Sequence, residues 1–115
     1  MSDYFKQLAG EQLNSVTFVQ DYIQLHFDGP GINVYMPMSV EAEATTIRSG
    51  DNQFRNALCG QIAKVVQSVS FQDSEALTIT FEDNSQIAIS LRPDDYSGPE
   101  ALEGHDFRDA PIIIV

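Results

Sequence analysis

Apolar and polar residues alternate in two blocks of the chain. In the first block Val16 and Phe18, then Ile23, Leu25 and Phe27, then Ile32, Val34 and Met36 stand at every second position. Short polar or glycine-rich breaks separate the three sets. A period of two sends successive side chains of an extended chain to opposite faces, so each set predicts a strand with one buried face. Asp28-Gly29-Pro30-Gly31 supplies a turn between the second and third sets, because glycine tolerates positive φ and proline withholds a ladder donor.

The second block repeats the first. Val69 and Phe71, then Leu77, Ile79 and Phe81, then Ile87, Ile89 and Leu91 alternate in the same order, with Glu82-Asp83-Asn84-Ser85 in the place of the earlier turn. Ser15-Val16-Thr17-Phe18 matches Ser68-Val69-Ser70-Phe71, and Ile23 to Phe27 matches Leu77 to Phe81. Single-residue slips fall between the strands, where loops absorb them without changing which face a side chain takes.

A short helical candidate precedes each block, Asp3 to Ala9 ending at Gly10 and Asn52 to Cys59 ending at Gly60. Each glycine suits the left-handed residue that closes a helix, and Ser2 and Asp51 suit the amino-terminal cap. The unit predicted is a helix followed by a three-stranded antiparallel meander. Two copies give an α+β fold forming one pseudo-twofold domain over residues 1–115, because one such unit exposes too much apolar surface to stand alone. Its parts are a first repeat over 3–37, a linker over 38–50, a second repeat over 51–92 and an extension over 93–115. The meanders either pack face to face or join into one curved sheet. Within the linker, Ala42 to Ile47 either adds an edge strand or runs over the surface. Pro111-Ile112-Ile113-Ile114-Val115 is too apolar to lie in water and is expected on a sheet edge, of its own chain or of a neighbour.

Composition narrows the function classes. With 43% apolar and 20% charged residues the chain reads as an ordinary globular domain, and no apolar run nears the ~18 residues of a membrane span. Met1 to Gly10 lacks the basic start and apolar middle of an export signal, and Cys59 is the sole cysteine; both favour a cytoplasmic protein. Lys plus Arg number 6 against 17 Asp plus Glu, a formal charge of −11. Such a field repels nucleic acid and anionic membranes and favours a basic protein partner.

Candidate chemistry is sparse. His26 falls on the polar side of its strand, and its counterpart in the second block is Thr80, which points to an ordinary solvent-facing residue. His105-Asp106 is an adjacent pair whose side chains diverge on extended backbone. Cys59 is expected to fill core volume, as free cysteine commonly does. Tyr22 and Tyr35 read as cross-strand packing residues. Two histidines and one cysteine are too few for a typical metal centre, and no phosphate loop or nucleophile elbow is present, so no cofactor, metal or catalytic residue is assigned. The best functional candidate is the segment that departs from the repeat, with Asp94, Asp95, Tyr96 and Glu100 on an irregular surface loop.

Three stretches, Leu25-His26-Phe27-Asp28-Gly29, Phe54 to Gly60 and Leu91 to Ala101, carry a resemblance. From about Leu13 to Leu102 the chain resembles an uncharacterised family of small acidic bacterial proteins. That resemblance implies bacterial origin and brings no activity with it. With a charge of −11 and no catalytic constellation, the functional expectation is a non-enzymatic interaction domain, of immunity or regulatory type. The alternative is a ligand-binding or catalytic homodimer with a cleft between the repeats.

Overall fold

A computed structural model describes the backbone of residues 2–115 and the side chains of residues 4–115. Its ten strands are β1 (Leu13–Phe18), β2 (Ile23–Phe27), β3 (Gly31–Val34), β4 (Met38–Ala42), β5 (Thr45–Arg48), β6 (Val66–Gln72), β7 (Ala76–Phe81), β8 (Gln86–Ser90), β9 (Leu102–Phe107) and β10 (Ala110–Ile114). They form two five-stranded antiparallel sheets, ordered β1-β2-β3-β9-β10 and β5-β4-β8-β7-β6. Strands hold about half of the residues, so the fold is mainly β. The expected α+β class and its helix-plus-three-strand unit are both overturned.

Two physical causes account for the correction. The helices are vestigial: α1 (Ser2–Phe5) continues only as a single 3-10 turn over Lys6–Leu8, and α2 spans Phe54–Cys59. Meanwhile the linker and the tail each form a hairpin: the edge places expected for Pro111 to Val115, and as one alternative for Ala42 to Ile47, are taken by β10 and β5, whereas β4 and β9 beside them were not expected. In β4 the burial alternates, with Met38 and Val40 inward and Ser39 and Glu41 more exposed, and β4 pairs with β8 through Val40 opposite Ile87. In the tail β9 pairs with β3 through Val34 opposite Leu102, and β10 pairs back onto β9. Each half of the chain thus gives three strands to one sheet and a hairpin to the other.

The pairings of the two sheets correspond closely. Val16 opposite Leu25 has its analogue in Val69 opposite Ile79, and each pairing carries a register irregularity, just before Ser15 in one and just before Ser68 in the other. Between the sheets lies one core, in which Leu13, Leu25, Ile32 and Leu102 meet Leu77, Ile79, Ile87 and Ile89, all essentially solvent-free. Burying such side chains stabilises by about 1.5–3 kcal/mol each. Phe5 stacks on Phe71 at 5.9 Å and meets Phe107 edge-on at 5.5 Å, so the first helical segment bridges β6 and β9.

Smaller expectations are also corrected. Gly10 is left-handed (φ +87), but Gly60 is right-handed; the chain turns once more through Gln61 and Ile62 and reverses at Ala63 (φ +79). The Asp51 carboxylate accepts from the backbone N–H of Arg48 at 2.8 Å, and Gln53 takes the cap position of α2 without a side-chain bond. The proposed Ser2 cap lies outside the described side chains. Cys59 is exposed rather than in the core. The buried residues of α2 are Phe54 and Leu58, four apart on one face, and the next residue along is rotated away from it. Among the described residues no helix is long and apolar enough to cross a membrane.

Candidate functional site

The four residues singled out on the irregular loop do not form one site. Pro93–Asp95 is a 3-10 turn between β8 and β9, and Asp94 and Tyr96 are exposed. Asp95 accepts from Ser90 Oγ at 2.5 Å, which fixes the loop to the end of β8. Glu100 lies at the other end of the loop, where its charge reaches Tyr35.

Tyr35 belongs to a linked polar surface, the outer face of the first sheet. Pairing brings Thr17, Gln24, Asn33, Glu103 and Ile114 into one cross-strand row, and Ser15, His26, Gly31, His105 and Ile112 into the next. Gln24 Nε2 donates to Asn33 Oδ1 at 3.2 Å, and Asn33 Nδ2 donates to Glu103 Oε1 at 3.4 Å. The same amide nitrogen lies 2.9 Å from His105 Nε2, which accepts when the ring carries its proton on Nδ1. Tyr35 Oη donates to Glu103 Oε1 at 2.5 Å, and its ring packs on Tyr22 with centroids 5.3 Å apart. The hydrogen bond from Tyr35 holds the Glu103 carboxyl below the usual range against a partly opposing desolvation. The same bond, with burial and the Glu103 charge behind it, pushes the Tyr35 phenol up to about 12.

Both histidines of the chain flank Gly31 in the second row. A Cβ at Gly31 would lie 3.3 Å from the Leu25 carbonyl oxygen and 3.7 Å from His26 Nδ1, so its closest constraint is the neighbouring backbone. Among the described residues no group of three or more His, Cys, Asp or Glu side chains is placed to hold a metal ion. The five strands of this sheet carry Glu103 and Asp106 and no lysine or arginine.

The matching face of the second sheet is different in kind. Where the first has Gln24, Asn33 and Glu103, the second has Thr78, Ala88 and Ser39. These small side chains leave a depression of about 510 Å³ floored by Ala76 and Ala88 and rimmed by Arg48, Arg92, Glu75 and Asp95. It collects residues from both halves of the chain because β4 and β8 meet there.

Asn33 and Glu103 escape a reading of the sequence alone. Asn33 is one of many polar residues at alternate strand positions. Glu103 stands in β9, whose alternation is masked by Gly104 in an inward place and by the left-handed Asp106 (φ 60), which shifts Phe107 out of phase. No family model, curated protein or solved structure matches the chain, so the site is read from its own geometry.

Proposed function

We propose that the protein is a non-enzymatic, cytoplasmic interaction domain of regulatory or immunity type, which receives a basic segment of a partner protein on the outer face of its first sheet. The carrying observation is the contrast between the two outer faces. In the row of Gln24, Asn33 and Glu103 the first face presents a linked set that extends to Tyr35 and His105, whereas the same row of the second face holds Thr78, Ala88 and Ser39, so the linked set is not a requirement of the fold. Without lysine or arginine on its strands, the first face offers an oriented carboxylate to a cation, with Tyr22 and Tyr35 as rigid apolar contacts beside it. The chain charge of −11 speeds encounter with such a partner.

The test is capture of a basic partner at low salt followed by binding measurements with purified components. Association slows as salt rises, Glu103→Gln weakens binding about tenfold, corresponding to ~1.4 kcal/mol, and Ser39→Ala on the opposite face leaves it unchanged. An association rate indifferent to salt, or a Glu103→Gln variant that binds as well as the wild type, overturns the proposal.

The depression on the second sheet favours a second reading, a site for a small zwitterionic ligand with its carboxylate toward Arg48 or Arg92 and its ammonium toward Glu75 or Asp95. Its volume falls in the range of small-molecule sites. A panel of amino acids and related metabolites that leaves the melting temperature unmoved at millimolar concentration removes this reading.

A further inference from the structure

The last strand of the first sheet is open along one side. β10 pairs with β9 on one edge and ends the sheet on the other. Val115 donates from its N–H to Leu102 O at 3.0 Å, and its carbonyl accepts from Ala101 N–H at 2.8 Å, so the peptide groups of Val115 face β9. Alternation then turns Ile113 toward β9 as well, and turns the N–H and C=O groups of Ile112 and Ile114 to the free side. Ile112 and Ile114 also project their side chains into solvent, 63% and 49% exposed, the two most exposed large apolar residues described.

The second sheet contains a control for this edge. Its end strand β5 holds the corresponding place, with Thr46 opposite Glu41 and Arg48 opposite Ser39, just as Ile112 lies opposite His105 and Ile114 opposite Glu103. The fold therefore accepts threonine and arginine at these two places. Isoleucine at both, on strand Ala110–Ile114 without a charge in a chain of −11, is chemistry directed outward.

We infer that β10 is the contact strand of a homodimer, pairing antiparallel with β10 of a second copy about a twofold axis at Ile113. In that register Ile112 of one copy lies beside Ile114 of the other in hydrogen-bonded pairs, which satisfies the open peptide groups and covers the exposed isoleucines. A twofold contact of a strand with itself is closed, so assembly stops at two chains and joins the first sheets of the two copies into one. The strand is suited to a second copy rather than to a basic partner because it has no charge to offer one. Two chains of like charge repel except where they touch, and an uncharged strand is the place where touching costs least.

Sedimentation equilibrium over a range of concentrations tests the inference. The wild type is expected at twice the 12.7 kDa chain mass. The double variant Ile112→Thr with Ile114→Arg, which installs the residues of the β5 edge, is expected at one chain mass with an unchanged far-ultraviolet spectrum. Added salt strengthens the dimer by screening the mutual repulsion, the opposite of its effect on a basic partner. Slowed amide exchange at Ile112 and Ile114 in the wild type, lost in the folded variant, gives a second readout. A wild type that stays at one chain mass at every concentration, a mass that grows past two chains, or a folded double variant that remains dimeric overturns the inference.

Discussion

The Tyr35 hydroxyl reaches 2.5 Å across to Glu103, joining the residue just after β3 to a strand that arrives from the far end of the chain. Glu103 has its carboxyl lowered and Tyr35 its phenol raised to about 12, the hydrogen bond between them being the first cause of both. A lowered carboxyl contributes stability that is present above the unfolded value of about 4.3 and lost as pH falls through the folded one. A raised phenol contributes stability that is present below about 10 and lost as pH rises through the folded value. The pair therefore supports the fold from the weakly acidic range to about pH 10. Tyr35→Phe is expected to cost about 1 kcal/mol at neutral pH, since the bond is charge-assisted but only partly buried. Titration followed by NMR checks the cause: the Glu103 carboxyl should rise toward its ordinary range in the variant, and an unmoved value rules this account out.

A second network ties the loop after α2 to the turn between β7 and β8. Gln61 Nε2 donates to the buried Ser85 Oγ at 2.7 Å, and Lys64 Nζ reaches Asp83 Oδ2 at 2.8 Å. Lys64 first, then the Ser85 hydroxyl and backbone N–H, hold the Asp83 carboxyl well below the usual range. Its contribution is present above the unfolded value of about 3.9 and lost on acidification. Asp83→Asn should lower the urea midpoint near neutrality, and the gap to wild type should narrow steadily as pH falls from about 5 to about 2. A gap that stays constant over that interval contradicts the assignment.

The β4-β5 hairpin turns on two residues with positive φ, Glu43 (51°) and Ala44 (64°). This is the backbone of a mirror-type two-residue turn, in which asparagine followed by glycine is favoured and a Cβ at left-handed φ is penalised. Ala44→Gly is expected to stabilise the protein by roughly 0.5–1 kcal/mol, seen as a higher denaturation midpoint. A lower midpoint would mean that glycine's freedom in the unfolded chain outweighs the relieved strain.

Cys59 is exposed, so a thiol reagent should label one cysteine per chain in the native protein, at a rate unaffected by low denaturant. Labelling that waits for unfolding would place the thiol in the core.

Periodicity alone located the central strands. In β2, β3, β7 and β8 apolar residues alternate without a break over the buried face, and burial follows that alternation closely, as at Leu25, Phe27, Ile32, Val34, Ile87 and Ile89. A strand buried on one side must carry its pattern in the sequence, because a slip of one residue turns every side chain over. The repeat and the Asp28-Gly29 turn were legible for the same reason, since Gly29 takes the positive φ (101°) that its neighbours avoid. What tertiary structure alone decided is which strand lies beside which. Nothing local in Met38–Ala42 says that it crosses to the second sheet, and nothing in Leu102–Phe107 says that it returns to the first. Those choices are settled by long-range pairing and a shared core, and they carried the class of the fold with them, because the exchanged hairpins outweigh two short helices. The candidate site follows the same rule: Asn33 and Glu103 are unremarkable in sequence and become neighbours only where the tail's strand is laid beside β3.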